Sequence, residues 1–254
     1  MKAVILAGGF GTRLAEYTET IPKPMVAIGG KPILIHIMEH FAKFGVKDFV
    51  IAAGYKSEQI KKYFLDYPLI NSNFIVNLSN GKIETLGQNK KIDWNVSVVD
   101  TGLDSMTGGR LLRLKDLLTS SPFFLTYGDG LSDVDLTSLV DTHNRNKVLA
   151  TVTAVRPAAR FGELNLSDER VTSFQEKPQL QQGWVNGGYF VIEPEFLEYL
   201  EDDSTVLEKE PLEKLAKNEL LAAHRHEGFW QCMDTKRDRD YLQGLWESGL
   251  APWV

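Results

Sequence analysis

The chain has 254 residues, of which 43% are hydrophobic and 24% are charged, and its 28 basic and 34 acidic side chains give a formal net charge of −6. This composition is typical of a globular protein and excludes a disordered, collagen-like or coiled-coil chain. The mild acidity argues against a nucleic-acid-binding protein, which would carry a surplus of Lys and Arg to neutralise phosphates.

The cysteine content and the length of the apolar runs indicate the cellular compartment in which we expect the protein. The single cysteine, Cys232, cannot form an internal disulfide, and its apolar neighbours favour a small buried thiol. No run approaches the ~18 apolar residues of a membrane span, and the apolar start of the chain is too short for a secretory signal. We therefore expect a soluble, cytoplasmic protein with no membrane partner.

The first third of the chain alternates strand and helix patterns. Residues 3–7 (AVILA) form an apolar run of strand length, residues 31–44 have helical periodicity, and residues 48–54 (DFVIAAG) predict a second strand. Ser57 is placed to cap the next helix. This rhythm predicts a parallel sheet covered by helices.

The remaining elements continue the pattern as far as residue 155, although residues 67–94 carry no pattern that we can place. The predicted elements of this part are a strand at 95–100, a helix at 107–118, a strand at 122–130, a helix at 136–144 and a strand at 148–155. Beyond it we predict a hairpin of 163–166 with 170–177, a strand at 187–194, and helical stretches near 195–199, 212–217 and 237–246. No linker divides the chain, so we expect one α/β domain with a core of residues 1–155 and an appended part, 156–254.

A glycine-rich loop, GGFGTR at residues 8–13, follows the first strand directly. Its glycines let main-chain N–H groups approach phosphate oxygens, and Thr12 and Arg13 add a hydroxyl and a fixed positive charge. The loop lacks the Gly-Lys-Ser/Thr ending of a P-loop, and Leu14 replaces the third glycine of a dinucleotide-binding motif. A tight strand-to-helix turn is the structural alternative.

Lys23 follows this loop by ten residues and lies between Pro22 and Pro24. The two prolines restrict the local backbone and so hold the ammonium group near the same loop. We interpret Lys23 as a phosphate ligand, the alternative being a solvated surface lysine.

Two aspartates follow apolar strand patterns and are candidates for a metal site. Asp129 lies between glycines after PFFLT, and Asp234 comes after FWQC. Two carboxylates with phosphate and water oxygens form a suitable shell for Mg²⁺, which keeps few protein ligands. Turn or N-cap aspartates are the alternative for each.

A polar set later in the chain is suited to a hydroxylated, phosphorylated ligand. Glu176 and Lys177 end a predicted strand, and Asn186 and Gly187 begin the next one. Glu176 and Asn186 could bind hydroxyl groups and Lys177 a phosphate, while a surface charge pair on a hairpin is the alternative.

Together, GGFGTRL, PKPM, GDG, EKP and the late aspartate resemble the sugar-1-phosphate nucleotidylyltransferases over nearly the whole chain. The segments DTG (100–102), SMTGGR (105–110), FWQCMDT and GLWESGLAPW are similar to the glucose-1-phosphate cytidylyltransferase group. The resemblance implies a Rossmann-like, three-layer α/β core with a mixed, mostly parallel sheet and a small additional β/α lobe. It also implies transfer of a cytidylyl group from CTP to glucose 1-phosphate, with Mg²⁺ bound and with assembly into homo-oligomers, as trimers or hexamers.

The resemblance assigns roles residue by residue. The nucleotide would lie on Leu6, Ala7, Gly8, Gly9, Phe10, Gly11, Thr12, Arg13, Lys23, Ser105, Arg110 and Gly128. Glu176, Lys177, Asn186 and Gly187 would bind the sugar phosphate, and Asp129 and Asp234 would bind the metal. Arg13, Lys23 and Lys177 would be the catalytic cations.

The chemistry agrees with this inventory on independent grounds. A sugar phosphate is largely dianionic at neutral pH, because its second pKa lies near ~6, and therefore it needs no protein base to attack phosphorus. What it needs is cancellation of charge and alignment. Three alternatives stay open at this point: a UTP- or dTTP-dependent transferase, a non-catalytic sugar-nucleotide sensor, and a dinucleotide-dependent oxidoreductase, which Leu14 disfavours.

Overall fold

The computed structural model describes residues 1–86, 92–157, 163–167, 170–175 and 183–254. The strands in these ranges are β1 (Ala3–Ala7), β2 (Ala27–Ile28), β3 (Lys31–Pro32), β4 (Asp48–Ala53), β5 (Asn73–Val76), β6 (Ile83–Leu86), β7 (Asn95–Asp100), β8 (Phe123–Tyr127), β9 (Gly130–Ser132), β10 (Ala150–Val155), β11 (Glu163–Ser167), β12 (Arg170–Gln175), β13 (Val185–Ile192), β14 (Leu221–His226) and β15 (Trp230–Cys232). The α-helices are α1 (Ala15–Thr18), α2 (Ile33–Lys43), α3 (Ser57–Ile70), α4 (Thr107–Leu112), α5 (Lys115–Leu118), α6 (Leu136–Asn146), α7 (Glu210–Lys217) and α8 (Lys236–Glu247). Short 3₁₀ turns occupy Thr12–Leu14, Lys23–Met25 and Pro194–Tyr199.

Seven strands form the central sheet, in the order β14-β10-β13-β8-β1-β4-β7. Strand β13 pairs antiparallel with both of its neighbours, and the other pairings in this sheet are parallel. The sheet is therefore mixed and mostly parallel, as expected. Smaller two-stranded pairings join β2 with β3, β5 with β6, β9 with β15 and β11 with β12.

Alternate residues of β1 face two separate hydrophobic cores. Ala3, Ile5 and Ala7 belong to a core that includes the apolar side of α2, whereas Val4 and Leu6 belong to a core that includes Leu111 and Leu215 of α4 and α7. A strand buried on both faces needs a continuous apolar run rather than an alternating one. Helices on both sides of the sheet give the three-layer architecture, which confirms the expected α/β fold class.

Several element boundaries differ from the sequence prediction. The helix predicted from residue 31 begins at Ile33, because Lys31–Pro32 pairs with Ala27–Ile28 and Pro32 precedes the helix as its N-cap. The single helix predicted at 107–118 is divided into α4 and α5, with Leu114 outside helical geometry between them. Residues 73–86, where we predicted no element, contain the β5–β6 hairpin.

The sheet directs its functional loops to one edge. The parallel strands β1, β4, β7 and β8 end at the same edge, and the antiparallel β13 begins there beside the end of β8. In open α/β sheets, ligands bind outside the carboxyl ends of the strands. No helix in the described ranges is both long enough and apolar enough to cross a membrane.

Candidate active site

A cleft of about 570 Å³ opens at this edge of the sheet. Its lining includes all twelve residues that we predicted for the nucleotide, as well as Asp129 and Asp234. The cleft is further lined by residues that the sequence analysis did not single out: Pro24, Leu103, Asp104, Met106, Thr107 and Tyr127. Groups from distant parts of the chain thus share one concave surface, as is typical of a small-molecule site.

Lys23 lies at the floor of the cleft between two carboxylates. Its Nζ is 2.6 Å from Oδ2 of Asp129 and 2.7 Å from Oδ1 of Asp234, and only 13% of its side chain is exposed. The backbone places it there because Pro22 is extended and Lys23 starts a short 3₁₀ turn with Pro24. Burial by itself lowers the pKa of Lys23, but the negative charges and hydrogen bonds around it, chiefly from Asp129, outweigh burial and raise the pKa above its usual value. The ammonium group is therefore charged.

Arg13 also contacts Asp234, but from an exposed position. Its Nη1 donates to Oδ2 of Asp234 at 2.7 Å, and its side chain is 73% exposed. An ion pair of this exposure is weak in water. Arg13 is therefore able to turn from Asp234 onto an arriving phosphate with little energetic cost.

A short antiparallel pairing brings the two aspartates together across the chain. Strand β9, which follows Asp129, pairs with β15, which precedes Asp234, and the N–H of Met233 donates to the carbonyl of Asp129 at 2.8 Å. Donor atoms of Asp129, Cys232 and Asp234 all lie within 4.8 Å of one another. Tertiary pairing, rather than local sequence, creates this acidic centre.

The chemistry of these donors fits a hard divalent cation. Burial raises the pKa of the Cys232 thiol well above its usual value, with the charge of Asp129 acting in the same direction, so the thiol keeps its proton. The remaining donors are carboxylate oxygens, which are the ligands that Mg²⁺ prefers. The buried ammonium of Lys23 already shows that this position attracts a positive charge.

Arg110 lines the cleft, but the hydrogen bonds of its guanidinium group go to the protein itself. Its terminal N–H groups donate to the carbonyls of Gly8 (3.0 Å), Gly102 (2.6 Å), Leu103 (3.1 Å) and Ala53 (3.4 Å) and to the hydroxyl of Thr101 (2.9 Å). Residue 8 must be glycine, because a Cβ there would lie 2.2 Å from the guanidinium carbon. Arg110 therefore fastens the glycine-rich loop to the loop that follows β7, and Ser105 is buried in that second loop.

The predicted sugar-phosphate residues are only partly described. Asn186 and Gly187 are the second and third residues of β13. Asn186 Nδ2 donates to the hydroxyl of Tyr127 at 3.3 Å, and the Gly187 carbonyl accepts from Trp230 Nε1 at 2.7 Å. They adjoin the cleft through Tyr127, which lines it. Glu176 and Lys177 lie outside the described residues, so their roles stay predictions.

Tyr127 and Trp230 contact predicted site residues but were not themselves predicted from the sequence. Tyr127 directly precedes Gly128 at the end of β8, which is where side chains begin to reach the site. Trp230 lies two residues before Cys232 in the short strand that leads to Asp234. A rule that includes the last residue of each parallel strand would have found the first.

Comparison with known proteins agrees with this geometry. The pattern of the family described as Nucleotidyl transferase matches residues 2–238. A protein of Salmonella typhi named glucose-1-phosphate cytidylyltransferase is 49% identical over 255 residues, which cover 100% of this chain and 98% of that protein. A Bacillus subtilis protein named probable glucose-1-phosphate cytidylyltransferase is 42% identical over 254 residues, covering 100% of this chain and 99% of its own.

Solved structures share the fold at lower sequence identity. HddC from Yersinia pseudotuberculosis superposes with a TM-score of 0.70 at 23% identity, covering 96% of this chain and 99% of that one. A UDP-glucose pyrophosphorylase complexed with UDP-glucose gives a TM-score of 0.69 at 18% identity, covering 98% of each chain. At this identity the likeness establishes the architecture alone.

Proposed function

The chain belongs to the nucleotidyl transferase family, and we propose that it is a glucose-1-phosphate cytidylyltransferase. The reaction transfers a cytidylyl group from CTP to α-D-glucose 1-phosphate and yields CDP-glucose and pyrophosphate. The observation that carries this proposal is the position of Lys23, held between Asp129 and Asp234 at the floor of a glycine-loop cleft. The names of relatives that are 42–49% identical over the whole chain supply the base and the sugar.

The site residues are proposed to divide by substrate. Residues 6–13, Lys23, Ser105, Arg110 and Gly128 would hold CTP, with the main-chain N–H groups of the loop after β1 on the phosphates. Glu176, Lys177, Asn186 and Gly187 would hold glucose 1-phosphate. In this scheme residues 1–155 form the nucleotide-binding core, and residues 156–254 carry the sugar-phosphate part and the C-terminal helices.

Asp129 and Asp234 would hold the Mg²⁺ ion. When bound, this ion supplies positive charge that stabilises the triphosphate and the charge that develops in the transition state. Lys23 now neutralises the same two carboxylates, so arrival of a metal-bound nucleotide would release its ammonium group towards phosphate. The two aspartates thus hold the ammonium group of Lys23 in position before substrate binds.

The chain's own residues act by charge and by alignment. An oxygen of the sugar phosphate attacks the α-phosphorus of CTP, the bond from that phosphorus to the bridging oxygen breaks, and pyrophosphate leaves with the electron pair. The attacking oxygen is already deprotonated at neutral pH, so a protein base is unnecessary. Arg13, Lys23 and Lys177 reduce the repulsion between the two anions and orient them in line.

The proposed function is tested by pyrophosphate release from the purified protein. Each reaction contains Mg²⁺, α-D-glucose 1-phosphate and one of CTP, UTP, dTTP, ATP or GTP. We expect strong preference for CTP, with CDP-glucose as the product. Preference for UTP or dTTP would overturn the base assignment and keep the mechanism, whereas absence of turnover with every nucleotide would favour a non-catalytic sugar-nucleotide sensor.

We also propose that the chain assembles with copies of itself. Every residue of both strands of the β5–β6 hairpin is exposed, and Phe74, Val76 and Ile83 share one of its faces. An isolated hairpin is marginally stable in water, and contiguous exposed apolar surface marks an interaction site. Among the described residues, nothing covers this apolar face of the hairpin.

A groove beside the hairpin offers the complementary surface. This groove has a volume of about 890 Å³ and runs between α3 and the edge strand β7, with an apolar lining of Phe64, Leu65, Tyr67, Pro68, Ile92, Trp94, Val96 and Val98. We propose that the hairpin of one copy packs into the groove of the next. Such a head-to-tail contact closes into a ring when the rotation between neighbouring copies allows it, and we propose a trimer or a hexamer made of two trimers. A cytoplasmic location is part of the same proposal and rests on the single cysteine, which cannot form an internal disulfide.

A further inference from the structure

One carboxylate outside every motif of the site joins two of its parts. Glu208 lies just before α7, and its Oε2 accepts a hydrogen bond from Thr107 Oγ1 at 2.7 Å. Its Oε1 accepts a hydrogen bond from the hydroxyl of Tyr127 at 2.5 Å. Thr107 and Tyr127 both line the cleft, and they lie on different elements, α4 and β8.

On the side of the proposed nucleotide site, the segment 203–208 supports residues 105–110, which include Ser105 and Arg110. The N–H of Met106 donates to the carbonyl of Asp203 at 2.8 Å, and the N–H of Leu207 donates to Oγ1 of Thr107 at 2.9 Å. A Cβ at Gly109 would lie 2.4 Å from the Asp203 carbonyl oxygen, so the two backbones touch. Glu208 is the last residue of this segment, and its carboxylate contacts both Thr107 and Tyr127.

On the opposite side, Glu208 holds the end of β8 through Tyr127. Gly128 and Asp129 follow Tyr127 directly, and the Tyr127 hydroxyl accepts a hydrogen bond from Asn186. A tyrosine hydroxyl is both a donor and an acceptor, so it donates to the Glu208 carboxylate while it accepts from Asn186.

We infer that Glu208 is a positioning residue for the proposed reaction. Its carboxylate joins Thr107, at the start of α4, to Tyr127, at the end of β8, and through Tyr127 to Asp129 and Asn186. This inference rests on the proposed function for the identity of the substrates. In-line transfer needs the α-phosphorus and the attacking oxygen within about 3.5 Å. A tie between the elements that carry the two substrates fixes that distance.

The bridge requires a carboxylate of this length. An ionised Glu accepts at both oxygens, whereas Gln offers one acceptor oxygen and one donor group. Glu208→Gln therefore leaves either Thr107 or Tyr127 facing an N–H₂ group. Glu208→Asp keeps the charge and both acceptors but removes one methylene, so it cannot reach both hydroxyls at once.

The test compares Glu208→Gln with Glu210→Gln, a matched variant of an exposed glutamate that pairs with Lys214. For Glu208→Gln we expect kcat with CTP and glucose 1-phosphate to fall about tenfold or more, since a charge-assisted hydrogen bond is lost. We expect both KM values to change less than about threefold, because alignment rather than binding is lost. Glu208→Asp should show the same split, and Glu210→Gln should match the wild type.

A double-variant cycle separates positioning from an independent structural effect. If Glu208 acts through Tyr127, Tyr127→Phe costs about tenfold alone but less than about threefold when added to Glu208→Gln. Losses that multiply would overturn the inference. So would a kcat of Glu208→Gln within twofold of the wild type, or equal losses in Glu208→Gln and Glu210→Gln.

Hydrogen exchange keeps the inference separate from the identity of the reaction. If the wild-type protein shows no turnover with CTP, the proposed function fails, but the tie is still measurable in the full chain. Glu208→Gln should then speed amide exchange in both 105–112 and 126–129, while Glu210→Gln changes neither. Faster exchange in only one of these segments, or in neither, would overturn the inference.

Discussion

The floor of the cleft and the β5–β6 hairpin both depart from the usual rule that charged side chains are exposed and apolar side chains are buried. At the floor, the charged side chain of Lys23 is withdrawn from water and held by two carboxylates. In the hairpin, Phe74, Val76 and Ile83 are placed in water. Both arrangements cost free energy in the isolated chain, since charges lose hydration when they are buried and apolar surface gains it when it is exposed.

The contrast shows which kind of partner each region awaits. At the floor, the ammonium group of Lys23 neutralises the carboxylates of Asp129 and Asp234. In the proposed reaction, the metal ion would neutralise these carboxylates instead, and the phosphates would pair with Lys23. The described residues do not cover the apolar face of the hairpin, and contact with another apolar surface would lower its free energy by removing it from water. The floor of the cleft is therefore suited to charged ligands, and the hairpin is suited to the proposed contact with another apolar surface.

Removal of the Asp129 charge should give the largest effect. Asp129→Asn leaves one carboxylate for both Lys23 and the proposed Mg²⁺ ion, so we expect kcat to fall by about 10³-fold and the Mg²⁺ concentration for half-maximal rate to rise. Steady-state pyrophosphate release over a Mg²⁺ titration measures both. Asp141→Asn, on an exposed face of α6, is the control, and near-wild-type turnover of Asp129→Asn would remove Asp129 from the mechanism.

A charge placed on the hairpin should break the proposed assembly. Val76→Asp puts a carboxylate on the apolar face, and we expect the dissociation constant of the assembly to rise at least about 100-fold, because burial of an unpaired charge costs several kcal/mol. Light scattering after size-exclusion chromatography measures the mass. Glu84→Gln, on the opposite face of the hairpin, should leave the mass unchanged. A wild-type protein that is monomeric at every concentration would contradict the proposal.

His40 extends the comparison to the core. It is buried, its Nε2 lies 2.9 Å from the carbonyl of Val134, and burial lowers its pKa to about 4. Where Lys23 keeps its charge because carboxylates surround it, His40 has a carbonyl partner and is neutral. The two groups show how the partner, rather than burial alone, decides the protonation state.

This difference predicts a pH dependence of stability. The pKa of a histidine is near 6.5 in the unfolded chain, so below pH 6.5 the unfolded state takes up a proton that the folded state does not. Stability from neutral His40 is thus complete above pH 6.5 and is lost as the pH falls towards 4, by about 3 kcal/mol in all. Urea unfolding between pH 7 and 4 should show a shallower decline for His40→Gln. Parallel declines in the two proteins would contradict this assignment.

The smallest expected effect concerns the fastening of the two loops by Arg110. Arg110→Lys keeps a positive charge but donates from a single nitrogen, so it cannot serve acceptors in both loops. We expect KM for CTP to rise about tenfold with a smaller change in kcat. Arg145→Lys, on the exposed surface of α6, is the matched control. An unchanged KM for CTP would show that the glycine-rich loop is positioned without Arg110.

Much of the fold and of the cleft was predictable from local sequence. The run at residues 3–7 is continuously apolar because β1 is buried on both faces, and the loop at 8–13 follows it at once. Parallel strands deliver such loops to one edge, so separate motifs could be expected to meet there. That rule accounts for the glycine-rich loop and Asp129, which follow β1 and β8, whereas Asp234 is brought in by the pairing of β15 with β9.

Other features had no local signal. The hairpin at 73–86 was not predicted because neither of its faces is buried by the described part of the chain, so it lacks the alternation of apolar and polar residues that marks a half-buried strand. Strand β9 has three residues, too few for a pattern. Glu208 lies 101 residues from Thr107, and their contact depends on how the segment 203–208 packs against α4.

The sequence by itself determined which chemical groups the chain carries and the rhythm of strands and helices, because apolar periodicity, glycine and proline act over a few residues. Only the tertiary structure decided that Lys23 is stored between two aspartates, that Arg110 faces carbonyls rather than open solvent, and that Glu208 joins α4 to β8. These outcomes depend on distances between segments that are far apart in the chain. Such distances are set by the packing of the two cores against the sheet, which no local pattern encodes.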